Sequence, residues 1–302
     1  MERITSSRAY RITYIGVPLI VAGLVVQERD RGFRHLRNDY VPSFRLHYDD
    51  YLQYAPAALM LGLKIGGVRG RSSWGRMLVS DAFSVALMAG AVNSLKYTCR
   101  MPRPDGSNNK SFPSGHTATA FMAATMLHKE YGGRNPWYSI AGYSMATVTG
   151  VSRMLNNKHW LSDVLVGAGI GILSVELGYL FADLIFKDKG LTEFEQDFAF
   201  DRYCRPSFLG MEVSTDVVIG RYRPVAGVEG EFNAGVNLGI EGAWFMNPYV
   251  GFGGRTAVSS VPIKLNVAES TDRLDSWAAS AGAYFSYTIT ARRRTGGKDL
   301  DG

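Results

Sequence analysis

The stretch WLSDVLVGAGIGILSVELGYLFA, from Trp160 to Ala182, carries formal charge only at Asp163 and Glu176. A bilayer-spanning helix needs roughly 20 mostly apolar residues, within a range of about 17 to 25. This stretch meets that length, and its glycines, alanines and serines are the small residues that let membrane helices pack closely. Working outward, five further blocks share the pattern. Ile12–Gln27 (ITYIGVPLIVAGLVVQ), Pro113–His128 and Trp137–Ser152 (WYSIAGYSMATVTGVS) lack formal charge with histidine neutral, and Met77–Leu95 has only Asp81. Tyr51–Leu63 is the weakest of the six. The expectation is a mainly α protein built on a six-helix membrane-embedded bundle, with the core helices of a soluble bundle as the alternative.

The chain has 302 residues, of which 33 are Lys or Arg and 27 Asp or Glu, and 46% are apolar. Two cysteines, Cys99 and Cys204, exclude a disulfide scaffold. The apolar content excludes a disordered chain. No basic run is interleaved with aromatics, which argues against nucleic acid. The loop between blocks two and three holds Lys64, Arg69, Arg71 and Arg76 without an acid, and the N-terminus holds Arg3, Arg8 and Arg11 against Glu2. The positive-inside rule places both in the cytoplasm, although Arg29, Arg31, Arg34 and Arg37 in the first loop vote the other way. Block one reads as an uncleaved segment rather than a signal peptide, because no small-x-small site follows it near Gly23.

After Phe186 the pattern changes. Lys187–Pro206 is polar and reads as a linker, and from Met211 the period becomes two. Phe232, Ala234, Val236, Leu238 and Ile240 alternate with Glu231, Asn233, Gly235, Asn237 and Gly239, and a second alternating run extends from Trp277 to Ile289. These are strand signatures, with Asn247-Pro248 as a turn. The expected organisation is a helical bundle over 1–186, a linker over 187–206, an antiparallel β region (meander or partial barrel) over 207–291, and a polar tail over 292–302. The β region is too short to close an eight-stranded barrel. Six spans with a cytoplasmic N-terminus leave the C-terminus in the cytoplasm, whereas a barrel-like tail belongs in an outer membrane.

Three clusters of chemistry sit at the edges of the blocks: Lys96 to Pro104 (KYTCRMPRP), Pro113 to His116 (PSGH), and Ser152-Arg153 followed by His159 and Asp163. If six helices alternate in direction, all three reach the same side. Singly, each has an ordinary reading: cations snorkelling at a helix end, a helix N-cap, a local surface pair. Together they describe a site for a tetrahedral anion. Lys96, Arg103 and Arg153 supply cations, two of them able to grip oxygens in bidentate fashion. Ser114 and Gly115 open a helix, where free N–H groups and the dipole favour phosphate. His159 and Asp163 lie on one helical face, so the carboxylate orients the imidazole as a nucleophile, and His116 is left to act as general acid.

The pattern K-x6-R-P, P-S-G-H, S-R-x5-H-x3-D resembles the signature of the type 2 phosphatidic acid phosphatase superfamily, which includes lipid phosphate phosphatases, bacterial class A acid phosphatases and vanadium haloperoxidases. The resemblance covers Tyr51 to Phe186, with all eleven specified residues present. Only eight residues (DGSNNKSF) separate Pro104 from Pro113, fewer than the family usually has, which bears on the shape of the substrate entrance. The resemblance implies a metal-free, two-step hydrolysis in which His159 forms a phosphohistidine, Asp163 orients it and His116 protonates the leaving oxygen. Lys96, Arg103, Ser114, Gly115 and Arg153 would hold the phosphate oxygens. No cofactor is implied, and no carboxylate cluster or Cys/His ligand set stands near these motifs.

The expected protein is thus an envelope membrane phosphatase, in the inner membrane with its site facing the periplasm. Lipid A, undecaprenyl diphosphate or phosphatidylglycerol phosphate are the substrate types, and no nucleic-acid partner is expected. The alternatives are a soluble periplasmic acid phosphatase, a vanadium haloperoxidase, or an envelope interaction module. His35, His47 and His128 match no signature position. Glu176 reads as a structural acid, and Gly167, Gly169 and Gly171 read as helix-packing glycines, since no strand precedes them as a nucleotide loop requires.

Overall fold

The computed structural model describes residues 7–192, 207–216, 221–222, 230–265 and 271–286. The chain divides into two compact units, Met1–Phe198 and Ala199–Gly302. Residues 193–206 of the expected linker, the expected tail, Cys204 and the end of the last alternating run lie outside the described residues.

The first unit is helical: α1 (Arg8–Thr13), α2 (Gly16–Val26), α3 (Asp30–Tyr40), α4 (Asp49–Leu52), α5 (Ala55–Ile65), α6 (Trp74–Cys99), α7 (Gly115–Leu127), α8 (Pro136–Leu155) and α9 (Leu161–Phe186). The six apolar blocks become α2 and α5 to α9. Among the described residues only α6 and α9 are long and apolar enough to cross a membrane by length and composition. Helices α2 and α5 have 11 residues each, α7 has 13, and the 20-residue α8 is diluted by serine, threonine and Arg153.

The helix boundaries follow from capping chemistry. Asn135 accepts from Trp137 N–H ahead of Pro136 at the first turn of α8, where its missing N–H costs nothing. Ser114 accepts from Thr117 N–H to open α7. Helix α6 ends where Arg100 turns left-handed at φ 46°.

Helix α9 is the centre, packed on α2, α6 and α7. Its glycines permit that. A Cβ on Gly167 would stand 2.6 Å from the carbonyl oxygen of Ser114, and one on Gly171 would collide with that of Ala118. Gly169 meets Gly16 of α2 in the same way. The core around these contacts is Met88, Val92, Met122, Met126, Leu127, Val166, Ile170 and Val175. The far end of α9 is closed by the buried Arg76, whose Nη1 donates to the carbonyls of Lys187 (2.7 Å) and Lys189 (3.0 Å) while Nη2 pairs with Asp183.

The arginine-rich segment expected as the first loop is largely helix. In α3, Phe33 and Leu36 are buried one turn apart. Asp30 accepts from both the backbone N–H (3.0 Å) and the hydroxyl of Ser162, and Arg37 Nε donates to the carbonyl of Leu155 at 2.8 Å.

Among the described residues the second unit is a six-stranded antiparallel sheet of β1 (Phe208–Asp216), β2 (Arg221–Tyr222), β3 (Gly230–Phe232), β4 (Gly235–Phe245), β5 (Val250–Leu265) and β6 (Thr271–Phe285). Among the described residues only β4-β5-β6 is a meander, because β1 pairs with β4 and β3 pairs with β5. The alternating run over 231–240 is broken at Asn233-Ala234, where Asn233 N–H turns to the carbonyl of Pro262. Asn247 Oδ1 accepts from the N–H groups of Tyr249 and Val250 and closes the β4-β5 turn.

Pairing aligns Trp244, Phe252 and Ala283, and Leu238, Val258 and Trp277, on one face. Ile240, Trp244, Phe252, Trp277 and Phe285 are exposed there. The opposite face carries the buried Ala243, Phe245, Ala257, Val261 and Ile263, and among them polar pairs, Arg255 with Glu212 at 2.7 Å and Tyr284 donating to Glu241 at 2.8 Å.

Candidate active site

The three sequence clusters meet where the C-terminal ends of α6 and α8 face the N-terminal ends of α7 and α9. The α9 start carries the centre. Asp163 stands at the third position of that helix, and its Oδ2 accepts the Trp160 N–H at 2.9 Å. The same oxygen takes the hydroxyl of Ser111 and lies 3.4 Å from Nδ1 of His159. A carboxylate that only accepts puts the ring proton on Nδ1 and leaves Nε2 bare. The backbone N–H of Ser114 donates to the carbonyl of Asp163 at 3.0 Å. That bond seats the PSGH turn, with its fresh helix N-terminus, directly on the His–Asp pair. Gly167 permits this approach, since any side chain there would strike Ser114.

Arg153 and His159 are tied by a tight turn. Asn157 adopts φ 58°, a left-handed conformation that asparagine tolerates better than most residues. The N–H groups of Lys158 and His159 both return to the Arg153 carbonyl, at 3.0 and 3.3 Å. Arg153 is buried, and its Nη1 is held by Asp49 at 2.6 Å. Lys96 Nζ donates to the carbonyl of Lys110 at 3.0 Å, which turns the ammonium towards the 104–113 loop. The indole of Trp160 donates to the Pro102 carbonyl at 2.9 Å, and Lys158 pairs with Asp105 at 2.7 Å, so the Arg103 loop is fastened to the α9 start from two sides. Against its burial, Lys158 and the Ser107 N–H hold Asp105 near pKa 2.

The electrostatics show how close these groups are. Burial lowers the His159 pKa to about 4, Lys96 and Arg153 push the same way, and Asp163 opposes them. Burial and then Arg153 depress Arg103. Nε of Arg103, Nε of Arg153 and Oδ1 of Asp163 are buried with no hydrogen-bond partner among the described residues. Buried guanidinium donors left unmade are costly, and an oxyanion placed between them would remove the cost.

Residues 78–186 match the model of the PAP2 superfamily. Every site residue named from the sequence lies within that match, from Lys96 to Asp163. The lipid A 1-phosphatase of Porphyromonas gingivalis is 52% identical to this chain over 173 residues, 57% of the chain and 39% of the relative. The chain thus spans about two fifths of that relative's length. The crystal structure of Aquifex aeolicus LpxE overlaps 48% of this chain and 92% of its own, at 24% identity and a TM-score of 0.38. That of a transmembrane PAP2-type phosphatidylglycerolphosphate phosphatase from Bacillus subtilis overlaps 57% and 98%, at 20% identity and 0.36.

The helical unit gathers all eight sequence-derived residues at one end of the bundle, and adds four that sequence reading passed over. Ser111 braces Asp163, Asp49 holds Arg153, Asp50 meets His116 Nε2 at 2.9 Å, and Tyr48 OH is 2.5 Å from Ser152 Oγ. Their only sequence signal is an acidic pair, Asp49-Asp50, opening the weakest apolar block.

The discounted residues lie elsewhere. His35 and His47 are exposed. His128 bonds Ser139 at 2.7 Å and Glu176 pairs with Lys129 at 2.7 Å. These line a polar cavity of about 590 Å³ with Arg71 and Asp183 at the opposite ends of α7 and α9. Among the described residues no group of three or more His, Cys, Asp or Glu is arranged to hold a metal.

Proposed function

We propose that this chain is a membrane phosphatase that removes phosphate from a phosphomonoester or diphosphate of a lipid through a phosphohistidine on His159. One observation carries the reading. A buried, neutral imidazole with its far nitrogen bare sits among three cations and a helix N-terminus, and two of the guanidinium groups have unspent donors. Nε2 of His159 attacks phosphorus as the bond to the leaving oxygen breaks. His116 protonates that oxygen, and water then releases phosphate. Lys96, Arg103, Arg153 and the Ser114-Gly115 turn hold the equatorial oxygens, which is the electrostatic positioning that phosphoryl transfer chiefly needs.

The membrane reading rests on which residues face outward. Val17, Val21, Leu24 and Val25 of α2, Leu78, Phe83 and Val85 of α6, and Phe181, Leu184 and Ile185 of α9 are exposed. Contiguous apolar surface of this kind fits lipid rather than water. It supports embedding of the helical unit beyond the two long helices as a six-helix bundle, and the Lys64–Arg76 segment, basic and without an acid in its loop, favours an inner-membrane orientation with the site facing the periplasm. The exposed apolar surface also disfavours a soluble acid phosphatase. Among lipid phosphates, the anomeric phosphate of a lipid A-type glycolipid is the first choice, because the relative at 52% identity is named for that reaction.

The test is phosphate release by detergent-purified protein from lipid A, undecaprenyl diphosphate, phosphatidylglycerol phosphate and soluble phosphomonoesters, with EDTA present. Release that is fastest with the glycolipid and absent in His159→Ala is expected. Equal turnover of all soluble esters, or turnover retained by the variant, would refute it.

A further inference from the structure

The phosphatase reading leaves the contact between His116 and Asp50 unused. Oδ1 of Asp50 lies 2.9 Å from Nε2 of His116 and 3.5 Å from Nη1 of Arg153. The neighbouring Asp49 is committed elsewhere. It is fully buried, 2.6 Å from Arg153 Nη1, and accepts from Asn156 Nδ2 at 3.3 Å. Asp50 is half-exposed, and its backbone is pinned by Gln53, whose Nε2 donates to the Asp50 carbonyl at 2.8 Å. The charged groups facing His116 are thus Asp49 and Asp50 from α4 and Arg153 from α8. The carboxylate of Asp50 is the one that touches the ring.

We infer that Asp50 is a positioning residue for proton transfer by His116, an inference that rests on His116 being the general acid. The Asp50 carboxylate accepts the Nε2 proton, fixes the plane of the ring and stabilises the imidazolium, leaving Nδ1–H to face the leaving oxygen. In the first step the His159 Nε2–P bond forms and the P–O bond to the lipid breaks. The bonding pair goes to oxygen, and the proton comes from His116 Nδ1. In the second step, His116 Nδ1 takes a proton from water as its oxygen bonds phosphorus and the P–N bond breaks. Both histidines return to their starting forms and nothing but water is consumed. The carboxylate works on His116 as Asp163 works on His159, but from a different helix and at the more exposed edge of the site.

The test exploits leaving-group chemistry, which a purely structural contact would not sense. A long-chain alkyl phosphate needs its leaving oxygen protonated, and p-nitrophenyl phosphate scarcely does. With full-length protein in detergent, Asp50→Asn is expected to lower kcat for the alkyl ester about 10- to 100-fold, part of the roughly 10²- to 10⁴-fold that a general acid supplies. For the nitrophenyl ester the expected loss is under about threefold. His116→Ala should show the same discrimination more strongly, Asp50→Glu should recover most of the rate, and Asp50→Asn should cost nothing further in the His116→Ala background. Equal losses on both esters, or losses that add in the double variant, would overturn the role of Asp50. If His116→Ala itself fails to discriminate, the acid assignment falls first and takes this inference with it. Thermal melting is measured for each variant, and if Asp50→Asn does not fold, Asp50→Ser and Asp50→Glu carry the same comparison.

Discussion

His159 is pulled in two directions. Burial, Lys96 and Arg153 favour the neutral ring, and the Asp163 carboxylate favours the charged one, with the balance at a pKa of about 4 against an ordinary 6.5. Protonation removes the lone pair that attacks phosphorus. Activity is therefore expected to be lost as pH falls through about 4, and a kcat/KM profile should put its acid limb there rather than near 6.5. The linkage has a matching sign. Between those two values the unfolded chain binds more protons than the folded one, so stability declines as pH falls across that window. An acid limb near 6.5 would mean that His159 is not in the buried environment described. At this scale the residues of the candidate site were legible as a group because their types and spacings are specific: a cation before Arg-Pro, a serine-glycine-histidine turn, a histidine four residues from an acid. Asp49, Asp50 and Ser111 were not legible. Their partners lie 52 to 104 residues away in the chain, and an isolated acidic pair or serine announces nothing locally.

The working element is helix α9, where Gly167 sets the distance between the His159–Asp163 pair and the Ser114-Gly115 turn. A Cβ at Gly167 would come within 2.6 Å of a backbone oxygen, which cannot swing aside as a flexible side chain could. Gly167→Val is expected to destabilise the protein by about 1–3 kcal/mol, the usual cost of overpacking. It should also lower kcat by displacing Ser114, with thermal melting and steady-state kinetics as the two readouts. A folded variant with unchanged kcat would show that the turn does not depend on that close approach. Helix identity was readable from apolar run length, and α9's packing role from its glycines. The arginine-rich α3 was hidden because net charge masked two apolar residues one turn apart, and its anchor, Asp30 on Ser162, spans 132 positions. In the sheet, period-two alternation marked stretches of β4 and β6 but not the pairing of β1 with β4, which is a long-range choice that alternation alone does not specify.

Across the whole molecule, the helical unit holds every residue assigned to the proposed chemistry, and the β unit has its own exposed apolar face and its own buried face. A chain ending at Thr192 is therefore expected to retain phosphatase activity in detergent. Loss of activity in a truncated protein shown by circular dichroism to keep its helices would mean that the sheet contributes to the site. The apolar blocks were legible as helices, but their lengths were not, because helix lengths of 11 to 26 residues emerge only once caps and turns are placed. The central claim is covalent catalysis by one histidine without a metal. The most direct measurement is mass spectrometry of protein quenched at alkaline pH during turnover of a lipid phosphate in EDTA. The account predicts a phosphoryl group on the peptide bearing His159, lost on acid treatment and absent from His159→Ala. Steady phosphate release in EDTA with no phosphoryl group on any histidine, or with one on a residue other than His159, would contradict it.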